Sequence, residues 1–171
     1  SPAFAGADKV QCGTAIEMSA NNPQYSYGTW SKLTGPGNVS FLPSEHDSNA
    51  IATINSGDEG TYTFLWSASS GSCSTTQLNN DTVTVTYLIE PEEPTVNDTV
   101  LCGPAVVHIP SSPGFRGDEN RWYESQTSNI IIYTGDTLDA GMQTFTQTYW
   151  VSTYNSASGC ESARAPITVC V

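Results

Sequence analysis

Asp58-Glu59-Gly60-Thr61-Tyr62-Thr63-Phe64 is the stretch on which the fold reading turns. A polar turn ending in glycine runs into residues that alternate between Thr and aromatics and continue through Leu65 and Trp66. Period-two alternation of β-branched and aromatic residues is the signature of a half-buried strand. A tyrosine at the mouth of such a strand can return its hydroxyl to the backbone of the preceding turn and fix a corner of a two-sheet sandwich.

Working outward, the same alternation recurs at Ala15–Ala20, Ala50–Ile54 and Thr82–Tyr87, then at Val106–Ile109, Ile130–Tyr133, Thr146–Thr153 and Ile167–Val171. Turn signals separate these runs: Gly35-Pro36-Gly37, Asn55-Ser56-Gly57, Ser112-Pro113-Gly114 and Gly135-Asp136. Few segments carry a helix-forming blend, whereas Thr, Val, Ile, Tyr and Trp recur in short runs. The chain is read as all-β.

Ile89-Glu90-Pro91-Glu92-Glu93-Pro94 cannot pair as a central strand and predicts a stiff connector. The text repeats in outline on either side of it. Cys12-Gly13 is answered by Cys102-Gly103, Trp30 by Trp122, Thr61–Trp66 by Gln147–Val151, and Cys73 by Cys160. A repeat of roughly 90 residues means an array of modules. Two tandem immunoglobulin-like β-sandwich domains are therefore expected, over residues 1–89 and 90–171, each with one disulfide.

With 171 residues and a formal net charge of −12, the chain has only 5 Lys and Arg. Nucleic acids call for clustered cations, so they are not expected partners. No apolar run nears the roughly 20 residues that span a bilayer, so no membrane insertion is expected. The opening Ser-Pro-Ala-Phe-Ala-Gly has no signal-peptide character, as expected of a processed or interior piece.

The cysteines are Cys12, Cys73, Cys102, Cys160 and Cys170, and none lies in a C-x-x-C pair. Cys12 and Cys73 are 61 apart, Cys102 and Cys160 58 apart. Two similar gaps, one per half, predict the bridges Cys12–Cys73 and Cys102–Cys160 in an oxidising compartment. Each would contribute about 4 kcal/mol by loop closure. The first would sit away from the usual core position, because Phe64 stands two residues after Tyr62 where antibody domains place a cysteine. Cys170 is left either with a partner outside the chain or as a free buried thiol.

Ala5 through Gly13, Gly28-Thr29-Trp30-Ser31, Gly60-Thr61-Tyr62 and Trp66 through Ser74 resemble the PKD-like/Ig-like repeats of Bacteroidota surface proteins. The second half resembles the partner Ig-like module of those proteins through Cys102-Gly103, Arg121-Trp122-Tyr123, Tyr149–Ser152 and Gly159–Arg164. The resemblance implies export by the type IX secretion system, across periplasm and outer membrane, to the cell surface or medium. It implies a non-catalytic structural or adhesive role, as in gliding-motility and adhesin proteins. Neighbouring repeat modules, the secretion machinery and surface glycans would be the partners. The alternative is a carbohydrate-binding or spacer module of a secreted hydrolase. No C-terminal sorting domain is recognised, which fits an interior fragment.

Catalytic residues are not expected. No Gly-x-Ser-x-Gly elbow occurs, His46 and His108 lack partners in the pattern, and the adjacent carboxylate pairs do not span a cleft. No cofactor is expected; calcium is the alternative, the ion that hard oxygen donors would hold, with Asp8, Asp58, Glu59, Asp118 and Glu119 as candidate ligands, although no D-x-D-x-D-G loop is present. Sugar rings would stack on Tyr25, Tyr27 and Tyr154, because the four tryptophans read mostly as core. Asp81-Thr82-Val83, Asp98-Thr99-Val100 and Asp136-Thr137-Leu138 match the Asp-Ser/Thr-aliphatic O-glycosylation pattern of Bacteroidota. Thr82, Thr99 and Thr137 are the expected acceptors.

Overall fold

A computed structural model describes residues 2–22, 26–70 and 79–171. The chain divides into two compact units, Ser1–Leu88 and Ile89–Val171. Every regular element of the described residues is a strand.

The first unit contains β1 (Lys9–Cys12), β2 (Ala15–Glu17), β3 (Ser26–Thr34), β4 (Val39–Leu42), β5 (Ile51–Ile54), β6 (Gly60–Ser70) and β7 (Asn79–Leu88). One sheet runs β1-β7-β6-β3 and the other β2-β5-β4. The alternation read in the sequence sets which side chains meet between them. On β7, Val83, Val85 and Tyr87 point inward while the intervening threonines face out. Trp30, Tyr62, Phe64 and Trp66 join them from β3 and β6, and Ile16, Ala52 and Ile54 close the core from the other sheet. The Trp30 and Trp66 ring centroids lie 4.9 Å apart, and Tyr62 stacks on Phe64 at 5.9 Å. Edge-on and offset contacts of this kind add to the area that aromatics bury.

The expected corner is present. Tyr62 Oη donates to the Asp58 carbonyl at 2.7 Å and accepts from Gly37 N–H at 3.0 Å. The ring also explains Gly35, where a Cβ would come within 2.1 Å of Tyr62. Tyr87 donates to the Ala52 carbonyl at 2.9 Å, a bond from one sheet to the other. Burial, with Tyr62 a smaller cause, raises the pKa of Tyr87 well above the ordinary phenol value, so it donates at any physiological pH.

The second unit contains β8 (Thr99–Val100), β9 (Ala105–Pro110), β10 (Glu119–Tyr123), β11 (Tyr133–Thr134), β12 (Thr137–Gln143), β13 (Gln147–Asn155), β14 (Cys160–Glu161) and β15 (Ala165–Cys170). Its larger sheet runs β11-β10-β13-β15-β8, with β14 on β13, and β12 pairs β9 opposite. Trp122, Ile109, Val151, Ile167 and Val169 form the core. Trp122 Nε1 donates to the Gly135 carbonyl at 2.8 Å.

Three expectations are corrected here. The segment Glu90–Pro94 is not a free-standing connector but packs within the second unit: Pro91 and Pro94 are buried, and Glu92 N–H donates to Phe115 O at 3.0 Å. Proline cannot join a ladder, but its ring can be buried beside one. The run Ile130–Ile132 is exposed and only Tyr133–Thr134 forms an edge strand, so its alternation does not mark a core face. Trp150 is only half-buried, whereas Trp30, Trp66 and Trp122 are core.

The cysteine pairing is corrected as well. Cys160 is disulfide-bonded, but Cys102 is a free, exposed thiol, so the Cys102–Cys160 bridge is not formed. The registers give the reason. Cys102 follows β8, which pairs with the end of β15 opposite Gln147, whereas Cys160 pairs with Asn155. Those two ends of β13 are eight residues apart, roughly 25 Å in a strand, while a disulfide needs its Cα atoms within about 7 Å. Cys12 is also disulfide-bonded. With Cys102 and Cys170 free, the second unit does not hold the expected disulfide of its own, and the expected Cys12–Cys73 bridge involves Cys73, which lies outside the described residues.

Candidate functional site

The densest polar cluster lies on β10, β13 and β14, built from side chains that the strand alternation turns away from the Trp122 core. Glu161 is its centre. Its Oε1 accepts from Tyr123 Oη at 2.6 Å and from Ser152 Oγ at 2.5 Å, and its Oε2 lies 3.6 Å from Arg121 Nη1. Burial and the bond to Glu161 raise the pKa of Tyr123 above its usual value, so its proton stays on oxygen. Arg121 also binds Glu119 at 2.9 Å, and its guanidinium carbon sits 3.2 Å from the Tyr154 ring centroid. Arg164 stacks at 3.4 Å on Tyr123 and donates through Nη1 to the carbonyls of Ser125, Gln126 and Ser128. A shallow depression of about 420 Å³ opens beside it, lined by Gln126, Glu161, Ser162, Ala163 and Arg164.

Chemically this cluster is a closed set. One carboxylate serves two hydroxyl donors and a guanidinium, and Arg164 Nη1 serves three carbonyls. Charge-assisted bonds of this kind hold loops to sheets. The hydroxyl of Ser152 is committed to Glu161, and among the described residues no hydrogen bond joins it to a histidine that could act as a general base.

The predicted calcium ligands are placed apart and engaged. Asp8 Oδ1 accepts from Thr84 N–H at 2.8 Å, Asp58 bonds Asn55, and Glu59 accepts from Gly57 N–H at 3.1 Å. Asp118 accepts from both the hydroxyl and the N–H of Ser156, which lower its pKa. Glu119 is paired with Arg121. Among the described residues no group of three or more His, Cys, Asp or Glu gathers in metal-binding geometry. Of the sugar-stacking candidates, Tyr25 and the side chain of Tyr27 lie outside the described residues. Tyr154 is half-buried, with one ring face covered by Arg121.

A second constellation was missed in the sequence. In the first unit, β1 runs parallel to β7 with Lys9 opposite Val85, and Asp8 holds Thr84 N–H. In the second, β8 runs parallel to β15 with Thr99 opposite Val169, and Asp98 holds Thr168 N–H at 2.8 Å. In each unit an aspartate just ahead of the first paired residue binds the residue just ahead of its partner. The shared signal is Asp-x-Val-x-Cys-Gly, at Asp8–Gly13 and Asp98–Gly103. It was obscured because Asp8 reads as a metal ligand and Asp98 as part of a glycosylation motif.

Residues 91–171 match the family described as Ig-like domain CHU_C associated. No curated protein matches the chain. Among solved structures, the chain is similar to fibronectin(III)-like modules of Clostridium thermocellum CbhA, at 12% identity and TM-score 0.39, covering 98% of this chain and 90% of that one. It is also similar to extracellular domains 3–5 of Drosophila OTK, at 14% identity and TM-score 0.46, covering 96% and 59%. The D00-D0 domain of intimin gives 9% identity and TM-score 0.38, covering 97% and 98%. The chain is all-β, and over residues 91–171 it carries an Ig-like module.

Proposed function

We propose that this chain is a non-catalytic, load-bearing part of a secreted or cell-surface protein, serving as a spacer or adhesive region. The observation that carries this reading is the latched parallel pairing of first and last strands in each unit. In a parallel pair, the entering end of one strand and the leaving end of the other lie at opposite ends of the ladder. Tension applied along the chain therefore acts along the strands and loads the hydrogen bonds together, in shear. Disulfide-bonded Cys12 and Cys160 support an oxidising, extracellular setting. The internally satisfied cluster around Glu161 supports a scaffold role. The carbohydrate-binding alternative has less support, since Arg121 already occupies one face of Tyr154.

Force spectroscopy on the intact chain, with its thiols kept reduced, tests this. Asp98→Ala removes an exposed, charge-assisted bond of about 1 kcal/mol, so unfolding of the second unit under constant force should speed up roughly fivefold. Asp118→Ala, which lies off the ladder, should leave the rate unchanged. Equal effects of the two would remove the load-bearing reading.

The export route we propose is the type IX system, and Thr82, Thr99 and Thr137 are the proposed glycan sites. Thr82 and Thr137 are exposed and Thr99 half-buried, while the aspartate of each motif holds a neighbouring segment. Material recovered from outside the source cell should have an intact mass above that of the sequence, with the excess on these threonines. An unmodified mass would sink the glycan assignment.

A further inference from the structure

The two free cysteines of the described residues meet at one end of the second unit. Cys170 is opposite Val100 in the parallel β8–β15 pair, and Leu101 N–H donates to the Cys170 carbonyl at 2.8 Å. Cys102 follows directly. On β15, Ala165, Ile167 and Val169 face the core, so Cys170 lies on the outer face. Val100, its partner, is 77% exposed, and Cys102, two residues on, is also exposed.

Comparison of the two units sharpens this. Matching the registers puts Cys102 at the place of Cys12 and Cys170 at the place of Thr86. Cys12 is oxidised. In the second unit the equivalent cysteine is a free thiol, and the residue across the ladder has become a cysteine.

We infer that Cys102 and Cys170 form a disulfide clasp joining the first and last strands of the second unit. Paired strands are about 4.8 Å apart, so a fully extended diagonal of two residues would hold the Cα atoms roughly 8 Å apart, just beyond bridging distance. The chain bends at Cys102 and Gly103, and Gly103 has φ +127° with no atom near its absent Cβ. That bend can swing Cys102 inward without disturbing the core. As the S–S bond forms, the two thiols release two protons and two electrons. A disulfide donor, such as oxidised glutathione, takes them up and leaves as two thiols. The closed loop encloses nearly all of the second unit, so a clasped unit could not be drawn out beyond its short ends.

The inference deepens the load-bearing reading but rests on separate geometry. The intact chain is equilibrated in glutathione buffers from reducing to oxidising, free thiols are alkylated, and the protein is digested without reduction. Under oxidising conditions most chains should yield a peptide pair linked through Cys102 and Cys170. In Cys170→Ser, Cys102 should then be alkylated or glutathionylated instead. The clasp is overturned if both thiols remain alkylated at the most oxidising ratio. It is equally overturned if Cys102 is found joined to another cysteine of the chain or to a second chain. A linked pair under oxidising conditions, in a chain whose Asp98→Ala variant unfolds under force at the wild-type rate once both are reduced, would keep the clasp and discard the load-bearing role.

Discussion

Trp66→Ala should destabilise the first unit by about 3–5 kcal/mol, the range for removing a fully buried large aromatic. The side chain is 1% exposed and packs on Trp30, and its Nε1 donates to the Asn21 carbonyl at 3.1 Å. Its ring also lies over Gly28, where a Cβ would come within 1.8 Å of it. The strand backbone of β3 is thus held against the ring, and β3 cannot collapse into the space that alanine leaves. Small domains are stable by only about 5–15 kcal/mol, so much of the first unit's margin would be lost. Urea denaturation followed by circular dichroism should show the first unit's transition moving to lower denaturant, with the second unit's in place. Trp150→Ala, at a half-buried site, should cost clearly less. A loss below about 1.5 kcal/mol for Trp66→Ala would mean that the core can close around the cavity.

The core was legible because its signals are local. Alternation along Thr82–Leu88 assigns Val83, Val85 and Tyr87 to one face whatever else the chain does, and the Asp58–Phe64 corner needs only its own turn and Gly37. The cysteines were misread because sequence spacing measures loop length, not position. Cys102 and Cys160 have the right separation for a sandwich staple, yet they sit at opposite ends of β13. The aspartate latches were hidden for another reason. A carboxylate that holds one backbone N–H across 70 or more residues has no local pattern, and only the alignment of Asp8–Gly13 with Asp98–Gly103 shows it. Ile130–Ile132 failed through period alone, since three isoleucines look the same on a core strand and at an exposed edge.

Gly114→Ala tests the one place where the structure departs most from the expected connector. The segment Glu92–Thr95 is laced onto residues 112–115: Glu92 N–H donates to Phe115 O at 3.0 Å, and Thr95 exchanges bonds with Ser112 at 3.1 and 3.3 Å. Gly114 N–H in turn donates to Thr153 Oγ1 at 2.8 Å, which ties this edge to β13. A Cβ on Gly114 would stand 2.1 Å from the Glu92 carbonyl oxygen and 2.6 Å from that of Glu93. These are backbone atoms, so no side chain can rotate away. Relief requires the whole Glu92–Glu93 segment to move outward, breaking its bonds to 112–115. Overpacking of this kind costs typically 1–3 kcal/mol, and here about 3 kcal/mol is expected because hydrogen bonds are lost with it. Gly103→Ala separates sterics from backbone strain: its Cβ meets nothing within 4 Å, but φ is +127°, so only strain of roughly 1–2 kcal/mol should appear. The second unit's urea midpoint should therefore fall further for Gly114→Ala than for Gly103→Ala, and the first unit's should hold in both. If Gly114→Ala is the milder of the two, Glu90–Pro94 is not held against residues 112–115 and is the stiff connector that its composition predicts.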